Sequence, residues 1–537
     1  MGQHSTMVSQ LPAWPPADLL DGARLEALSS DARDYALTHG LVYRALPAAQ
    51  GQAPPPDTAI HAPLTLLPSP LPRVLYEHAQ KLQPLFNQLY AKVALDDAFL
   101  EQVIGGAVAK VDDFQRRLYE IWLRVREEGV VQNAHLGLFR SDYLMHAEEA
   151  SGELELKQVE INTISSSLGP LCVQASGMHR YLLAKGAYEG ADPLLAAANM
   201  PENSALATLT SGLAAAHAHY MEKTRAQRPA QTHPVVLFVT QPEERNSFDQ
   251  RALEYALLEQ HGIRTVSMNL EQLGQTASLH GPERVLSVLS PPSHMPMEVS
   301  TVYFRAGYGP GDYTSEALWD TRLLLERSLA VKCPTVALQL AGAKKVQQVL
   351  TEPGVLERYI GRSADIVRTT FTQLYPLDEH SPLGREAFRL AHENPEAYVL
   401  KPQREGGSNN IYKGDIPPAL DAMERRDQER RERDEQIAVK EREGYILMSL
   451  IRTPPERGSI LLRAAGPNGE RPQAVHVPST VSELGVYGAV LFSPDQSGGA
   501  HFHADTSGGH LVRTKSSESN EGGVAVGFSV IDTPLLV

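Results

Sequence analysis

Tyr398-Val399-Leu400-Lys401-Pro402-Gln403-Arg404-Glu405-Gly406-Gly407-Ser408-Asn409-Asn410 runs from a short apolar strand into a glycine-rich turn. A lysine that ends a buried strand is held rigidly and meets a phosphate as a point charge. The glycines beside it lack a Cβ, so their N–H groups approach an anion closely. Glu405 adds a hard oxygen suited to Mg²⁺. The spacing is not that of a P-loop, because G-x-x-x-x-G-K-[ST] is absent. A charged Gly-Gly turn also serves as an ordinary surface turn, so the reading needs partners elsewhere in the chain.

The segment Glu153–Ile164, ELELKQVEINTI, supplies the first. Its alternation predicts a strand with Leu156, Gln158, Glu160 and Asn162 on one face and Val159 and Ile161 on the other. Glu160 and Asn162, about 6.6 Å apart along such a strand, present oxygens to one ion or to two phosphate-bridged ions. A solvated strand face is the competing reading. Arg140 (LFRSDY), Arg305 (YFRAGY) and Arg513 (LVRTK) sit in apolar or aromatic context. Such arginines face carboxylates or phosphates, or else form structural ion pairs. Lys515 follows Arg513 by two residues, so both point into one cleft.

Around these motifs the chain reads as a multidomain α/β protein. Its 537 residues suggest three or four packed units. Helical patterning covers about 18–41 and 74–128 and most of 177–218, while 62–72 is apolar but irregular. Residues 233–268 form a β–α–β unit, with VVLFV and IRTVSM as strands, a helix over 248–260 and Gly262 as its stop. A strand over 299–304 follows, and the C-terminal region is mainly β. The run Glu424–Glu443 is densely and oppositely charged, with Asp427–Arg431 and Glu429–Arg433 at i,i+4 spacing, which predicts a solvated peripheral helix.

Composition excludes several classes. The net charge of −15 argues against a general nucleic-acid binder and requires local cations to hold any nucleotide. No apolar run approaches a membrane span, and the N-terminus lacks signal-peptide blocks, though Gly2 and Thr6 fit a loose myristoylation pattern. The only cysteines, Cys172 and Cys333, and the absence of N-x-S/T suit a reducing, cytoplasmic setting. His501-Phe502-His503 near Asp505 resembles a metal pair, but no third histidine or cysteine lies nearby in sequence to complete zinc coordination. No G-x-S-x-G elbow is present.

In this order the fragments resemble the eukaryotic-type glutathione synthetase family. The matching segments are Ala62–Ser69, Arg140–Tyr143 (RSDY), Glu160–Ser167 (EINTISSS), Glu244–Arg251 (ERNSFDQR), Tyr303–Tyr308 (YFRAGY), Leu323–Ser328 (LLLERS), Gln339–Gln348 (QLAGAKKVQQ), Val399–Tyr412, Tyr445–Met448, Ser482–Gly485 (SELG), Leu511–Lys515 and Glu521–Gly527. They span nearly the whole chain. The resemblance implies an α/β (α+β) ATP-grasp fold with an inserted α/β substrate-binding domain and a lid, acting as a homodimer. The expected units are 1–230 and 343–537 for the ATP-grasp body and lid, and 231–342 for the inserted domain.

The implied reaction joins γ-glutamylcysteine and glycine with ATP through an acyl phosphate, giving glutathione, ADP and phosphate, and it needs no protein nucleophile. By resemblance, Glu160, Asn162 and Glu405 hold Mg²⁺, two ions with bound ATP. Glu160, Lys344, Lys401, Glu405, Gly406, Gly407, Asn409, Asn410, Tyr412, Met448, Ser449, Leu450, Ile451, Glu483, Lys515 and Glu521 surround the nucleotide. Arg140, Ile164, Ser165, Ser166, Ser167, Glu244, Arg245, Asn246, Gln250, Arg305, Ala306, Gly307 and Tyr308 line the dipeptide site, and Arg513, Val524 and Ala525 lie near the glycine end. Arg140, Ser167 and Arg513 are the expected catalytic groups.

The chain departs from the family pattern at Ala306 (often Asp), Ser408 (usually Gly), Glu521 (Asp), Ser449 and Leu450 (charged) and Val526 (Ala). None of these removes a metal ligand or key cation. Two rival readings are a homologous ligase using β-alanine or another amine, which one methylene of pocket space would distinguish weakly, and an inactive ATP- or thiol-binding scaffold. The second predicts loss of Glu160, Glu405, Lys344 or Lys401, and all four are present.

Overall fold

The computed structural model describes residues 11–45, 57–149, 151–226, 232–290, 295–404, 409–433, 437, 439–454, 457–464, 473–519, 523–524 and 527–537. Their framework is one 14-stranded sheet among the described residues, built around the long antiparallel hairpin Thr480–Pro494 and Ala500–Ser516. Strand His135–Ala147 pairs antiparallel with the first arm of the hairpin and, on its other side, with Leu154–Asn162. The apolar 62–72 stretch, read as irregular, contains two short buried strands. Leu64–Thr65 joins the main sheet, and Ser69–Leu71 pairs with the C-terminal strand Pro534–Leu536.

Helices cover this sheet. Arg73–Ala94 buries Tyr76, Leu82, Phe86 and Leu89, each such side chain contributing about 1.5–3 kcal/mol. Asp113–Glu128 starts at an Asp112 cap, whose carboxylate accepts from Gln115 N at 2.9 Å, and ends where Gly129 turns to φ +90. Helices Gly169–Ala184 and Ala205–Lys223 bury small and apolar residues in a second core.

The β–α–β reading of 233–268 corresponds to strand Val235–Thr240, helix Ser247–His261 and strand Thr265–Asn269, with Gly262 left-handed at φ +67. These strands run parallel with Met295–Phe304 and Val331–Cys333. Val331–Cys333 then continues the main sheet through the single pair Lys332–His135.

A separate four-stranded antiparallel sheet orders Leu374–Tyr375, Tyr445–Ser449, Tyr398–Pro402 and Ile411–Tyr412. It packs on helices Pro382–Glu393 and Ile416–Glu432 around Leu377, Ala387, Leu400, Leu420, Met423 and Leu447. The charged run is therefore not simply a solvated helix. Asp427 and Arg442 are buried, and Arg442 donates to Leu377 O at 2.9 Å and to Glu424 at 2.7 Å. The expected i,i+4 pairs give way to Asp427–Arg430 at 3.5 Å and a bond from Arg433 to the Glu429 carbonyl, because Asp427 turns inward to accept from Glu441 N.

Candidate active site

The strand carrying Glu160 and Asn162 does not alternate uniformly. Asn162 lies opposite Arg140 and Glu160 opposite Asp142, but Tyr143 is then opposite Gln158, so Val159 is an extra residue, a β-bulge. The bulge corrects the face assignment: Leu156 and Gln158 lie on one side, and Glu160 and Asn162 on the other with Arg140 and Asp142. It also leaves the Val159 carbonyl outside the ladder, where it accepts from Lys401 Nζ at 2.9 Å. Strand Tyr398–Pro402 of the small sheet is thereby tied to the main sheet beside Glu160.

Ladder register brings Glu483 and Arg513 of the hairpin onto the same face, and Lys515, opposite Val481, follows Arg513. Arg140 binds Asp142 bidentately at 2.6 and 2.9 Å, and Arg513 reaches Asp142 at 3.2 Å and also pairs with Glu483. Gly485 lies opposite Asp142; a Cβ there would meet Arg140 Cδ and Asp142 Oδ1 at 2.8 Å, so only glycine leaves room for the pair. Lys344, at the start of helix Lys344–Leu350, donates to Glu160 Oε2 at 2.8 Å.

Both Glu160 and Asn162 are 9% exposed. Burial pushes the Glu160 carboxyl up, but Lys344, Lys401 and Arg513 outweigh it and hold the group down at about 2. Burial lowers Lys401 to about 8, with Glu160 opposing the shift. Burial also works against the charges of Arg140 and Arg513, yet Asp142 and Glu483 raise both groups above their ordinary value. The face thus carries arginine cations beside an ionised carboxylate.

The serine loop joins this face to the parallel block. Ser165 and Leu168 adopt left-handed backbone, φ +54 and +72, which costs a non-glycine residue about 1–3 kcal/mol and needs external support. Support comes from Leu168 N donating to Asp249 at 3.0 Å, and from Arg140 and Tyr487 donating to Ser167 O at 3.2 and 2.8 Å. The Ser165 and Ser166 hydroxyls are turned to the carbonyls of Phe304 and Leu138. Arg305 reaches Asp249 at 3.4 Å and Ser166 O at 3.5 Å. Glu244 accepts from Asn246 N at 2.8 Å and from Gln250 at 3.0 Å, while Arg245 O accepts from Arg44 N.

Beyond Arg305, Asp312 accepts from the N–H groups of Gly307, Tyr308 and Gly309, and Gln241 donates to the Tyr308 hydroxyl at 3.0 Å. A cavity of about 510 Å³ opens here at the carboxyl ends of the parallel strands, between Gln241, Asn269, Glu271, Ala306, Tyr308 and Asp312. Ile164 is buried in the core behind the serine loop, and Val524 in the second core.

On the small sheet, Tyr412 lies opposite Val399 and accepts from Asn410 at 3.1 Å, and Asn409 is exposed. Met448 is buried between Val399 and Leu374. Ser449 N and Leu450 N bond to Gln373 O and Ala397 O, and Leu450 and Ile451 pack on the core. Glu405, Gly406, Gly407, Ser408, Glu521, Ala525 and Val526 lie outside the described residues, as does Gly2.

Sequence reasoning missed Asp142, Asp249, Gln403, Gly485 and Tyr487. Asp142 stood inside the RSDY segment, and alternation from Arg140 was the signal available. Gln403, almost fully buried, accepts from Lys345 N at 3.0 Å, and its neighbour Arg404 pairs with the helix-capping Asp112. His501 and His503 do gain a third ring, since the helix places His219 at 4.5 Å from His503 between centroids. Among the described residues, however, no group of three His, Cys, Asp or Glu is arranged around a metal.

The donor set beside Lys344 fits Mg²⁺ better. Both amide hydrogens of Asn162 are used, to Arg140 O at 3.2 Å and Asp142 at 2.9 Å, so its remaining function is the hard Oδ1 oxygen next to the ionised Glu160.

The family described as eukaryotic glutathione synthase, ATP binding domain, matches residues 22–536. The glutathione synthetase large chain of Schizosaccharomyces pombe is 35% identical over 523 residues, spanning 95% of this chain and 97% of that one. The glutathione synthetase of Xenopus laevis is 38% identical over 522 residues, spanning 96% and 98%. A solved apo structure of a glutathione synthetase like-effector from Globodera pallida superposes with a TM-score of 0.69 at 22% identity, over 96% of this chain and 98% of that one.

Proposed function

The chain belongs to the eukaryotic glutathione synthase family, and from that membership we propose how its residues carry out the synthesis of glutathione. It is an ATP-dependent ligase with an ATP-grasp fold, and its substrates are ATP, γ-glutamylcysteine and glycine. The observation that carries the mechanism is the convergence of Arg140, Arg513, Lys344 and Lys401 with Glu160 and Asn162 on one sheet face.

Lys344 and Lys401 bind the ATP phosphates, with Tyr412 and the Met448–Ile451 backbone holding the base and Lys515 and Glu483 the remaining nucleotide contacts. Glu160 and Asn162, with Glu405, would hold Mg²⁺, which when bound neutralises phosphate charge. Arg305, Glu244, Asn246, Gln250 and Tyr308 hold the dipeptide, whose γ-glutamyl end takes the cavity above the parallel strands. Arg140 and the Ser167 backbone then present its cysteinyl carboxylate to the terminal phosphorus of ATP. The carboxylate oxygen attacks, ADP leaves, and an acyl phosphate forms. The glycine amine, with its own carboxylate near Arg513, attacks the acyl carbon, and phosphate departs as the amine loses its proton. The guanidinium groups stabilise charge on the reacting oxygens, and no protein nucleophile takes part.

On this reading residues 231–342 form the dipeptide-holding block and the four-stranded sheet the lid. A homodimer is proposed from the family resemblance, and a cytoplasmic site from the two free, buried cysteines; no helix among the described residues is long and apolar enough to cross a membrane. The deciding experiment is phosphate release from Mg-ATP with γ-glutamylcysteine, with glycine, β-alanine or no acceptor, beside a Glu160→Gln control. Glycine-dependent release matching glutathione formed and lost in the control is expected. Equal turnover with β-alanine would reassign the acceptor, and ATP binding without turnover would make the chain a scaffold.

A further inference from the structure

Asp142 lies at the centre of the site, and its carboxylate is bonded to protein groups rather than held open for a substrate. Its side chain is 1% exposed. Oδ1 accepts from Arg140 Nε at 2.6 Å; Oδ2 accepts from Arg140 Nη2 at 2.9 Å, Asn162 Nδ2 at 2.9 Å and Arg513 Nη2 at 3.2 Å. Four donors from three elements occupy both oxygens, so the carboxylate has little capacity left for a ligand.

We propose that Asp142 is a positioning residue with two tasks: it holds Arg140 and Arg513 away from Glu160, and it turns the Asn162 amide so that Oδ1 faces the ion. The inference rests on the assignment of Glu160 and Asn162 to the metal and of the arginines to the dipeptide. Each task follows from the geometry. An amide is planar, so fixing both N–H bonds of Asn162, one on Asp142 and one on Arg140 O, fixes where its oxygen points. Next to Asp142 on this face, Glu160 lies opposite it in the ladder and Glu483 already pairs with Arg513. If Asp142 loses its charge, the Arg513 guanidinium loses one of its two carboxylate partners and turns toward Glu160, the ion ligand that lies opposite Asp142 in the ladder. Gly485, which leaves space for the Arg140–Asp142 pair, belongs to the same device.

Asp142→Asn tests this on the full chain. Asparagine keeps the shape but offers one oxygen and one NH₂ to four donors, so donors are left opposed or unpaired. Three quantities are read: Mn²⁺ affinity by loss of the free-ion EPR signal with a non-hydrolysable ATP analogue present, metal-free binding of γ-glutamylcysteine by calorimetry, and metal-free binding of the nucleotide. The first two should weaken by at least about tenfold, the range seen for groups that orient metal ligands, while nucleotide binding stays within about twofold. A loss of fold alone would lower all three together. If D142N does not fold, G485A, which keeps every charge and crowds the same pair, carries the same comparison. A folded variant with unchanged Mn²⁺ and dipeptide affinities overturns the proposal. Wild-type protein that binds no γ-glutamylcysteine overturns the functional reading beneath it.

Discussion

Replacing Gly485 by alanine probes the site with one methyl group. The new Cβ would lie 2.8 Å from both Arg140 Cδ and Asp142 Oδ1 and 3.1 Å from Arg140 Cγ, where ordinary contact begins at 3.4 Å. The pair must therefore give way by about 0.6 Å, the difference between 3.4 and 2.8 Å. It cannot move freely, since Arg140 also holds Ser167 O and Asp142 also holds Asn162 and Arg513. Overpacking of this kind costs about 1–3 kcal/mol, partly offset by the loss of a strand glycine at about 0.5–1 kcal/mol. Catalysis is more sensitive than stability, because about 1 Å of misplacement costs about a hundredfold in rate. G485A should therefore stay folded while kcat for glutathione formation, measured by phosphate release, falls at least about tenfold. Gly488→Ala is the control: its Cβ meets Asn87 Oδ1 at 2.1 Å and Gln83 Nε2 at 2.8 Å, under the helix and away from the site. It should cost at least as much thermal stability and leave kcat per folded molecule near wild type. Wild-type kcat in G485A, or equal losses in both variants, would refute the idea that Gly485 exists to seat the Arg140–Asp142 pair.

Burial pushes His135 and His510 down to about 3 and His179 to about 4, with Lys332 and Arg180 adding to the first two and the Thr65 carbonyl opposing the third. The unfolded chain takes up these protons first as pH falls below about 6.5, so each histidine removes up to about 1.4 kcal/mol of stability per pH unit below that value. Thermal midpoints from pH 7.5 to 5 should fall less steeply in His510→Gln than in wild type, and identical slopes would count against it. Arg305→Lys cannot bridge Asp249, Ser166 O and the Tyr303 hydroxyl with a single ammonium. It should raise KM for the dipeptide about tenfold or more while leaving nucleotide binding unchanged; a shift confined to ATP would contradict this assignment. Arg442→Ala leaves the Leu377 carbonyl without its donor, while Glu424 keeps Lys440 at 3.0 Å, and should destabilise the four-stranded sheet by about 1–3 kcal/mol, seen as faster hydrogen exchange in Tyr445–Ser449.

Local pattern carried much of this in the sequence. The β–α–β unit at 233–268, its Gly262 stop and the strands around Glu160 and Lys401 follow from periodicity and turn chemistry, which depend on neighbours a few residues away. The buried Arg442 and Asp427 were hidden inside a run whose composition looks solvated, because burial there is set by helix Pro382–Glu393 and strand Tyr445–Ser449 packing on it. His219 lies some 280 residues before His503, and no spacing rule joins them.

The sequence by itself determined the class of chemistry: cations and hard oxygens ending strands, glycines where an anion approaches, and a family resemblance across the chain. Only the tertiary structure decided which face they share. The bulge at Val159 inverts the alternation and frees a carbonyl for Lys401, and ladder register delivers Asp142, Glu483 and Arg513 to one point from strands far apart in the chain. Register and bulges depend on pairing between distant segments, and a buried charge is stable only where its partner arrives by that pairing.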